Sequence, residues 1–335
     1  MLEEVTQWSK KLKDGMQLAH DFHYEHGSQL PKNIKKIVFL GMGASGISGR
    51  IIKTFLDKKT KTLSFVVDSP ELPNCIDSET LVIATSYSGN TWEVVDSVQG
   101  LVDKFIPTII LSHGGKLAAL AEERNLPFAL FPESLTPRSS LGTFLGFLLT
   151  LFDLMGILEG KKICDDISKQ IDLYIPKFTD ETYFKDFLDA AEKYDFFHIW
   201  GVSQNSAAFA YRAQTQFNEN SKVHAVTSYF PELCHNLING FESYKEKPFV
   251  VLFSTDFLPP ALEAAQETAS EVLKELGVNL YKPPVLGDTW ESQLFHIILW
   301  SDFASCYLGK RRGVNLSDVK VIERLKQLYG QKRVK

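Results

Sequence analysis

Residues Thr85-Ser86-Tyr87-Ser88-Gly89-Asn90-Thr91 crowd hydroxyls and a glycine into one short stretch. They follow the apolar run Leu81-Val82-Ile83-Ala84 and precede Trp92-Glu93-Val94-Val95-Asp96, whose spacing is helical. A strand that ends in a hydroxyl-rich turn and opens a helix offers side-chain hydroxyls together with free backbone N–H groups, a neutral cradle for a phosphate dianion. No lysine stands in the turn, so it is not the nucleotide loop that closes on Gly-Lys-Ser/Thr. A single Ser-Gly pair would be an ordinary polar turn; this density of hydroxyls at a strand-to-helix junction points to a small phosphorylated metabolite.

A second turn supports this reading. Ile37-Val38-Phe39-Leu40 reads as a buried strand, Gly41-Met42-Gly43-Ala44-Ser45-Gly46 follows it, and Ile47 to Leu56 runs with helical spacing. The glycines match the GxGxxG spacing of dinucleotide folds, and Val66-Val67-Asp68 offers an acid at a suitable distance, so that ligand stays open from this element alone. Two such turns on parallel strands of one sheet open together at the strand carboxyl ends, where open α/β sheets bind ligands. One phosphate shared by Gly43, Ser45, Ser86, Ser88 and Thr91 is the more economical reading.

The elements that must position these turns follow from the hydrophobic pattern. Val5, Trp8, Leu12, Met16, Ala19 and Phe22 predict a first helix within residues 1–24. Strands are predicted near 36–41, 63–68, 80–86, 107–112 and 127–131 with helices between them, which implies a parallel sheet covered on both faces. Arg138 stands just before an apolar helix at about 139–156, and Glu159-Gly160-Lys161-Lys162 reads as a linker. The second half repeats the plan: Phe196-Phe197-His198-Ile199-Trp200-Gly201 aligns with the strand before Gly41, and Pro248 to Thr255 with the strand before Ser86. It has no GxGxxG, and Asp256 in its second turn would repel a phosphate. The second copy is therefore expected to be empty of phosphate and to supply catalytic side chains. A last helix from about Leu316 to Tyr329 carries Val319, Ile322, Leu325 and Leu328 on a stripe expected to dock onto the body.

Composition sets the bounds. At 335 residues and 44% hydrophobic content the chain suits two units of roughly 150 residues, each with its own core. A net charge of −5 argues against nucleic acid or an anionic membrane as partner. Met1 to Val5 lack the features of a signal peptide, and no apolar run approaches the roughly 20 residues that span a bilayer, so a cytoplasmic protein is expected. Cys75, Cys164, Cys234 and Cys306 have no zinc or disulfide spacing. His20, His23 and His26 fall at i, i+3 and i+6 of a helix, where only adjacent pairs face together, and they suit the negative end of its dipole. No metal and no cofactor are expected.

The two turns together resemble the sugar isomerase (SIS) domain. Three further segments narrow the likeness: Pro137-Arg138-Ser139-Ser140-Leu141-Gly142, Gln216-Phe217-Asn218-Glu219-Asn220-Ser221-Lys222, and Pro231-Glu232-Leu233-Cys234-His235-Asn236. In this order they resemble the bifunctional phosphoglucose/phosphomannose isomerases, over about Ile37 to Lys326. The resemblance implies two tandem α/β SIS domains of flavodoxin-like, parallel-sheet type, at 1–158 and 163–312, with a C-terminal helix and tail at 313–335. It also implies interconversion of glucose 6-phosphate, and mannose 6-phosphate, with fructose 6-phosphate through a cis-enediol(ate).

That reaction moves a proton between adjacent carbons and needs a base over both, a cation at the developing oxyanion, and groups to open the ring. The resemblance assigns Glu219 as base. It stands near the end of a predicted helix at about 203–218, where the macrodipole disfavours a carboxylate. Arg138 is the cation, able to fork onto two oxygens. His235 is a ring-opening group contributed to the site of a partner subunit in a homodimer, and Lys326 in Ile322-Glu323-Arg324-Leu325-Lys326 is the second. Glu232 would orient the turn of His235. The family's hydroxyl linked to accepting mannose falls near Val319, with Ser317 the nearest hydroxyl, which leaves glucose against mannose open. A sugar-amine deglycase or glucosamine-phosphate isomerase shares the domain pair, although Met1-Leu2 offers no glutaminase cysteine. A DNA-binding sugar-phosphate sensor would need a basic helical domain, and the about 35 residues before Ile37 are not basic enough.

Overall fold

The computed structural model describes residues 1–243 and 245–333; the tail residues 334 and 335 of the expected C-terminal segment lie outside them. Two short parallel sheets share one helical core. In chain order the elements are α1 (Leu2–Thr6), α2 (Trp8–His26), β1 (Lys36–Gly41), α3 (Gly43–Lys59), β2 (Leu63–Val67), β3 (Thr80–Thr85), α4 (Trp92–Val102), β4 (Thr108–Ser112), α5 (Gly115–Arg124), β5 (Phe128–Leu130), α6 (Leu141–Leu154) and α7 (Gly160–Phe178). They continue with α8 (Lys185–Ala191), β6 (Phe196–Val202), α9 (Ala207–Gln216), β7 (His224–Phe230), β8 (Phe249–Leu252), α10 (Pro260–Glu275), β9 (Asn279–Tyr281), α11 (Trp290–Arg311) and α12 (Lys320–Arg333).

The first sheet has the order β2-β1-β3-β4-β5 and the second β7-β6-β8-β9, with every pairing parallel. This is the doubly wound order in which β1 and β3 flank the point where the winding reverses. Successive strand residues face opposite ways, and both faces are apolar because both are covered. Ile37, Phe39, Leu81 and Ile83 face a core shared with Phe197, Ile199 and α6, α7 and α11. Val38, Leu40, Val82 and Ala84 face α4 and α5, while Trp200, Val202, Val250 and Leu252 face α10. At the centre, every residue of α11 from Trp290 to Gly309 is buried, its start fixed by a capping box between Thr289 and Ser292.

Three sequence expectations change. The stretch 159–162 is not a linker: Gly160 opens α7, and a Cβ there would lie 1.8 Å from the Leu149 carbonyl, so the turn from α6 is packed tight. The helix expected at 203–218 starts only at Ala207 and ends in a π-helical turn over Phe217–Ser221. The stripe of the last helix does not dock: in α12 Ile322 is 41%, Leu325 66% and Leu328 40% exposed. This region is fastened instead by the preceding connection, whose Leu316 packs onto the core, and by Tyr329, whose ring stacks on Trp92.

Candidate active site

The turns after β1 and β3 straddle the reversal point of the first sheet, where its ligand should sit. α3 begins at Gly43, so the N–H groups of its first turn have no intrahelical partner. Gly46 lets this helix start against the strand, since a Cβ there would lie 2.5 Å from the Gly41 carbonyl oxygen. Gly89 has φ +65°, the left-handed region that the reversal of the second turn requires. The two turns are stitched together: the Tyr87 N–H donates to Ser45 Oγ at 3.1 Å, and Ser86 Oγ donates to Thr91 Oγ1 at 2.8 Å. Ser45 and Ser86 are buried, and Thr91 stands at the N-cap position of α4 without a side-chain capping bond. Ser88 is exposed, its hydroxyl accepting from the Asn90 N–H within its own turn, and Gly43 is exposed with φ +53°.

An arginine–carboxylate pair joins the turn after the first sheet to the end of α9. Arg138 sits in a short 3-10 turn, Pro137–Ser140, against which α3 packs. Its side chain is 2% exposed. Every nitrogen of the guanidinium has a partner: Nη1 donates to Glu219 Oε2 at 2.8 Å, Nε to Asn220 Oδ1 at 3.0 Å, and Nη2 to the Leu316 carbonyl at 2.6 Å. Burial pushes its pKa below the ordinary arginine value and Glu219 pushes it back up; a guanidinium remains charged throughout. Glu219 keeps 24% side-chain exposure, so the carboxylate reaches solvent while its cation is buried. The macrodipole penalty anticipated for a helix-end carboxylate is thus met by a cation at bonding distance.

Four contributors were not assigned from sequence. The π-turn is the first: an extra residue in the last turn of α9 swings Glu219 out of register with the 3.6-residue face, a feature common at functional sites. Asn220 is fully buried and braced by Ser305 Oγ, to which its Nδ2 donates at 3.0 Å. Arg212 Nη2 donates to the Arg138 carbonyl at 3.2 Å and, through Nε and Nη2, to Asp302, which also accepts from Trp8 Nε1. Lys222 has φ +56°, rare for a side chain of this kind, and its ammonium donates to the Glu219 and Asp318 carbonyls. Burial, then the neighbouring Arg138, lower its pKa. Asn220 and Lys222 stand inside the Gln216–Lys222 segment already singled out, so a signal existed; Arg212, Asp302 and Ser305 carry none.

His235 and Lys326 are not gathered into this pair within the chain. His235 is exposed in the 3-10 turn beyond the carboxyl end of β7, whereas Glu219 precedes its amino end. The seven residues of β7, with a rise of about 3.3 Å from each to the next, put about 20 Å between those ends. Lys326 is exposed on α12. Glu232 Oε1 accepts from Asn236 Nδ2 at 2.9 Å, bracing the turn of His235. The corresponding reversal point of the second sheet is filled by its own side chains: Thr255 Oγ1 donates to Asn205 Oδ1, and Gln293 accepts from the Asp256 N–H and donates to its carboxylate. Among the described residues no group of three or more His, Cys, Asp or Glu side chains is placed to hold a metal, and no helix is long and apolar enough to cross a membrane.

A bifunctional phosphoglucose/phosphomannose isomerase of Thermoplasma volcanium is 33% identical over 296 residues, 87% of this chain and 90% of that protein. The chain belongs to this family. A second member, from Caldicellulosiruptor bescii, is 31% identical over 323 residues, covering 90% of this chain and 93% of its own. The SIS domain profile matches residues 32–136, and that of the bacterial phospho-glucose isomerase C-terminal SIS domain matches 190–328. The two sheets are therefore tandem SIS domains, as expected. The fold also matches the crystal structure of tagatose-6-phosphate ketose/aldose isomerase from Escherichia coli, with a TM-score of 0.70 at 14% identity over 95% of each chain.

Proposed function

We propose that the protein is a metal-independent aldose–ketose isomerase that interconverts glucose 6-phosphate, and mannose 6-phosphate, with fructose 6-phosphate. The observations that support this reading are the Arg138–Glu219 pair and the hydroxyl-rich turn that opens from the first sheet. The phosphate takes the N-terminus of α3 and the hydroxyls of Ser45, Ser86, Ser88 and Thr91. Glu219 removes the proton from C2 of the open aldose and returns it to C1, while the hydroxyl proton passes between O1 and O2. The enediolate oxygen that develops is met by Arg138, whose rigid support by Asn220 and Arg212 means little reorganisation accompanies the charge. Glucose and mannose differ only at C2 and share this intermediate.

Ring opening precedes proton transfer. Lys326 and the His235 of a partner subunit are the groups we assign to it, in a homodimer of two reciprocal sites. The distance along β7 supports this assignment, since the chain's own His235 and Glu219 lie at opposite ends of that strand. We take the units as 1–158 and 163–312, with 313–335 as a C-terminal helix and tail, and place the enzyme in the cytoplasm. A coupled assay on fructose 6-phosphate, reading glucose 6-phosphate and mannose 6-phosphate separately with and without EDTA, tests the reading. Formation of aldose phosphate at the same rate in EDTA is expected. Loss of activity in EDTA would overturn the metal-independent step, and consumption of glucosamine 6-phosphate without any fructose 6-phosphate conversion would move the assignment to the amino-sugar enzymes.

A further inference from the structure

The segment after α11 is fastened at its two ends and bare between them. At its start the Leu316 and Asp318 carbonyls accept from Arg138 and Lys222, each at 2.6 Å. At its far end the Tyr329 ring stacks on Trp92, with centroids 5.5 Å apart and planes 22° apart. Trp92 is the first residue of α4 and follows Thr91 of the phosphate turn directly. The segment therefore runs from the Arg138–Glu219 pair to the start of α4, directly after the hydroxyl-rich turn. Between the fastenings Val321 is 84% and Leu325 66% exposed. A lone helix of 14 residues is marginal in water, so the position of α12 depends on what it touches.

Lys326 lies three residues before Tyr329, and residues three apart share a helix face. Lys326 thus shares the side of α12 that carries Tyr329 and its stack on Trp92. We propose that Trp92 and Tyr329 are positioning residues: a clasp that holds α12 across the site so that the Lys326 ammonium meets the sugar ring. This rests on the isomerase reading above. A lysine on an undocked helix would sample many orientations, and holding a reacting group in place removes that entropy from the barrier.

The test uses full-length Tyr329→Ala and Tyr329→Phe, each with and without Lys326→Met, assayed on fructose 6-phosphate. Tyr329→Ala is expected to lower kcat on the order of 10-fold or more, the scale of a misplaced group. KM should change little because the cradle is intact, and Tyr329→Phe, which keeps the ring, should restore the rate. In the Lys326→Met background Tyr329→Ala should cost nothing further, because both act through one group. Hydrogen exchange over 321–333 should quicken in Tyr329→Ala while the melting temperature holds. Wild-type kcat in Tyr329→Ala or in Lys326→Met, or a full additional loss in the double variant, overturns the clasp. A wild-type chain that converts no fructose 6-phosphate removes the isomerase reading and this role with it; an active wild type with an unaffected Tyr329→Ala removes this role alone.

Discussion

Glu219 and Arg138 show how much of a site can hang on one contact of 2.8 Å. Replacing Glu219 with Gln keeps the size and one acceptor for Arg138 but removes the proposed base. Turnover should fall on the order of 10²–10⁴-fold with KM nearly unchanged; a variant that turns over normally but has lost substrate affinity would assign Glu219 to binding instead. The cradle makes a different prediction. If these hydroxyls hold the substrate phosphate as proposed, Ser86→Ala and Thr91→Ala each remove a hydrogen bond to a charged group, worth about 1.5–3 kcal/mol, and should raise KM more than they lower kcat. Ser254→Ala, in the second sheet, should leave both constants unchanged; a rise in its KM would place phosphate there as well. At this scale the sequence was most legible in the turns, because hydroxyls and glycines between a strand and a helix have a local meaning. Asn220 was legible only as part of a motif. Its use depends on Ser305, 85 positions away.

Among the elements, α11 best links packing to a measurable property. It is buried along 20 consecutive residues from Trp290 to Gly309 and carries His296 against the rings of Tyr174 and Phe178, with both ring nitrogens unpartnered. Burial, helped by Lys177, lowers the pKa of His296 to about 3. The unfolded chain takes up that proton below its ordinary value of 6.5, the folded chain not until about 3. Protons therefore favour the unfolded state across this window, and stability falls as pH drops from 6.5 toward 3, by about 1.4 kcal/mol per pH unit for one group. Urea midpoints between pH 7 and 4 should show this slope, and His296→Leu should flatten it. Some slope should persist from His198, which burial lowers to about 4. A His296→Leu chain with the wild-type slope would show that this histidine is not the group responsible. The strands and most helices were legible from apolar periodicity. The π-turn at Phe217–Ser221 was not, because one inserted residue barely disturbs the pattern while it redirects Glu219.

For the whole molecule, the separation of Glu219 from His235 by the length of β7 has a direct consequence. If each site takes its histidine from the partner, Glu219→Gln and His235→Ala chains are each inactive but complementary. Co-refolded in equal amounts they form about half heterodimers, each with one intact site, so activity should return to roughly a quarter of wild type. Heterodimers without activity would put both groups in one chain. The sequence by itself determined the parallel-sheet architecture and its repeat, and the hydroxyl-rich turns that end two of its strands, because strand burial, helix periodicity and turn chemistry are local. Tertiary structure decided what depends on distant chain segments meeting. It buried Arg138 against Glu219, filled the second reversal point with Asn205, Thr255, Asp256 and Gln293, and left the α12 stripe uncovered while Tyr329 lay on Trp92. No local pattern encodes such pairings, since each depends on how two sheets and their shared helices pack around one core.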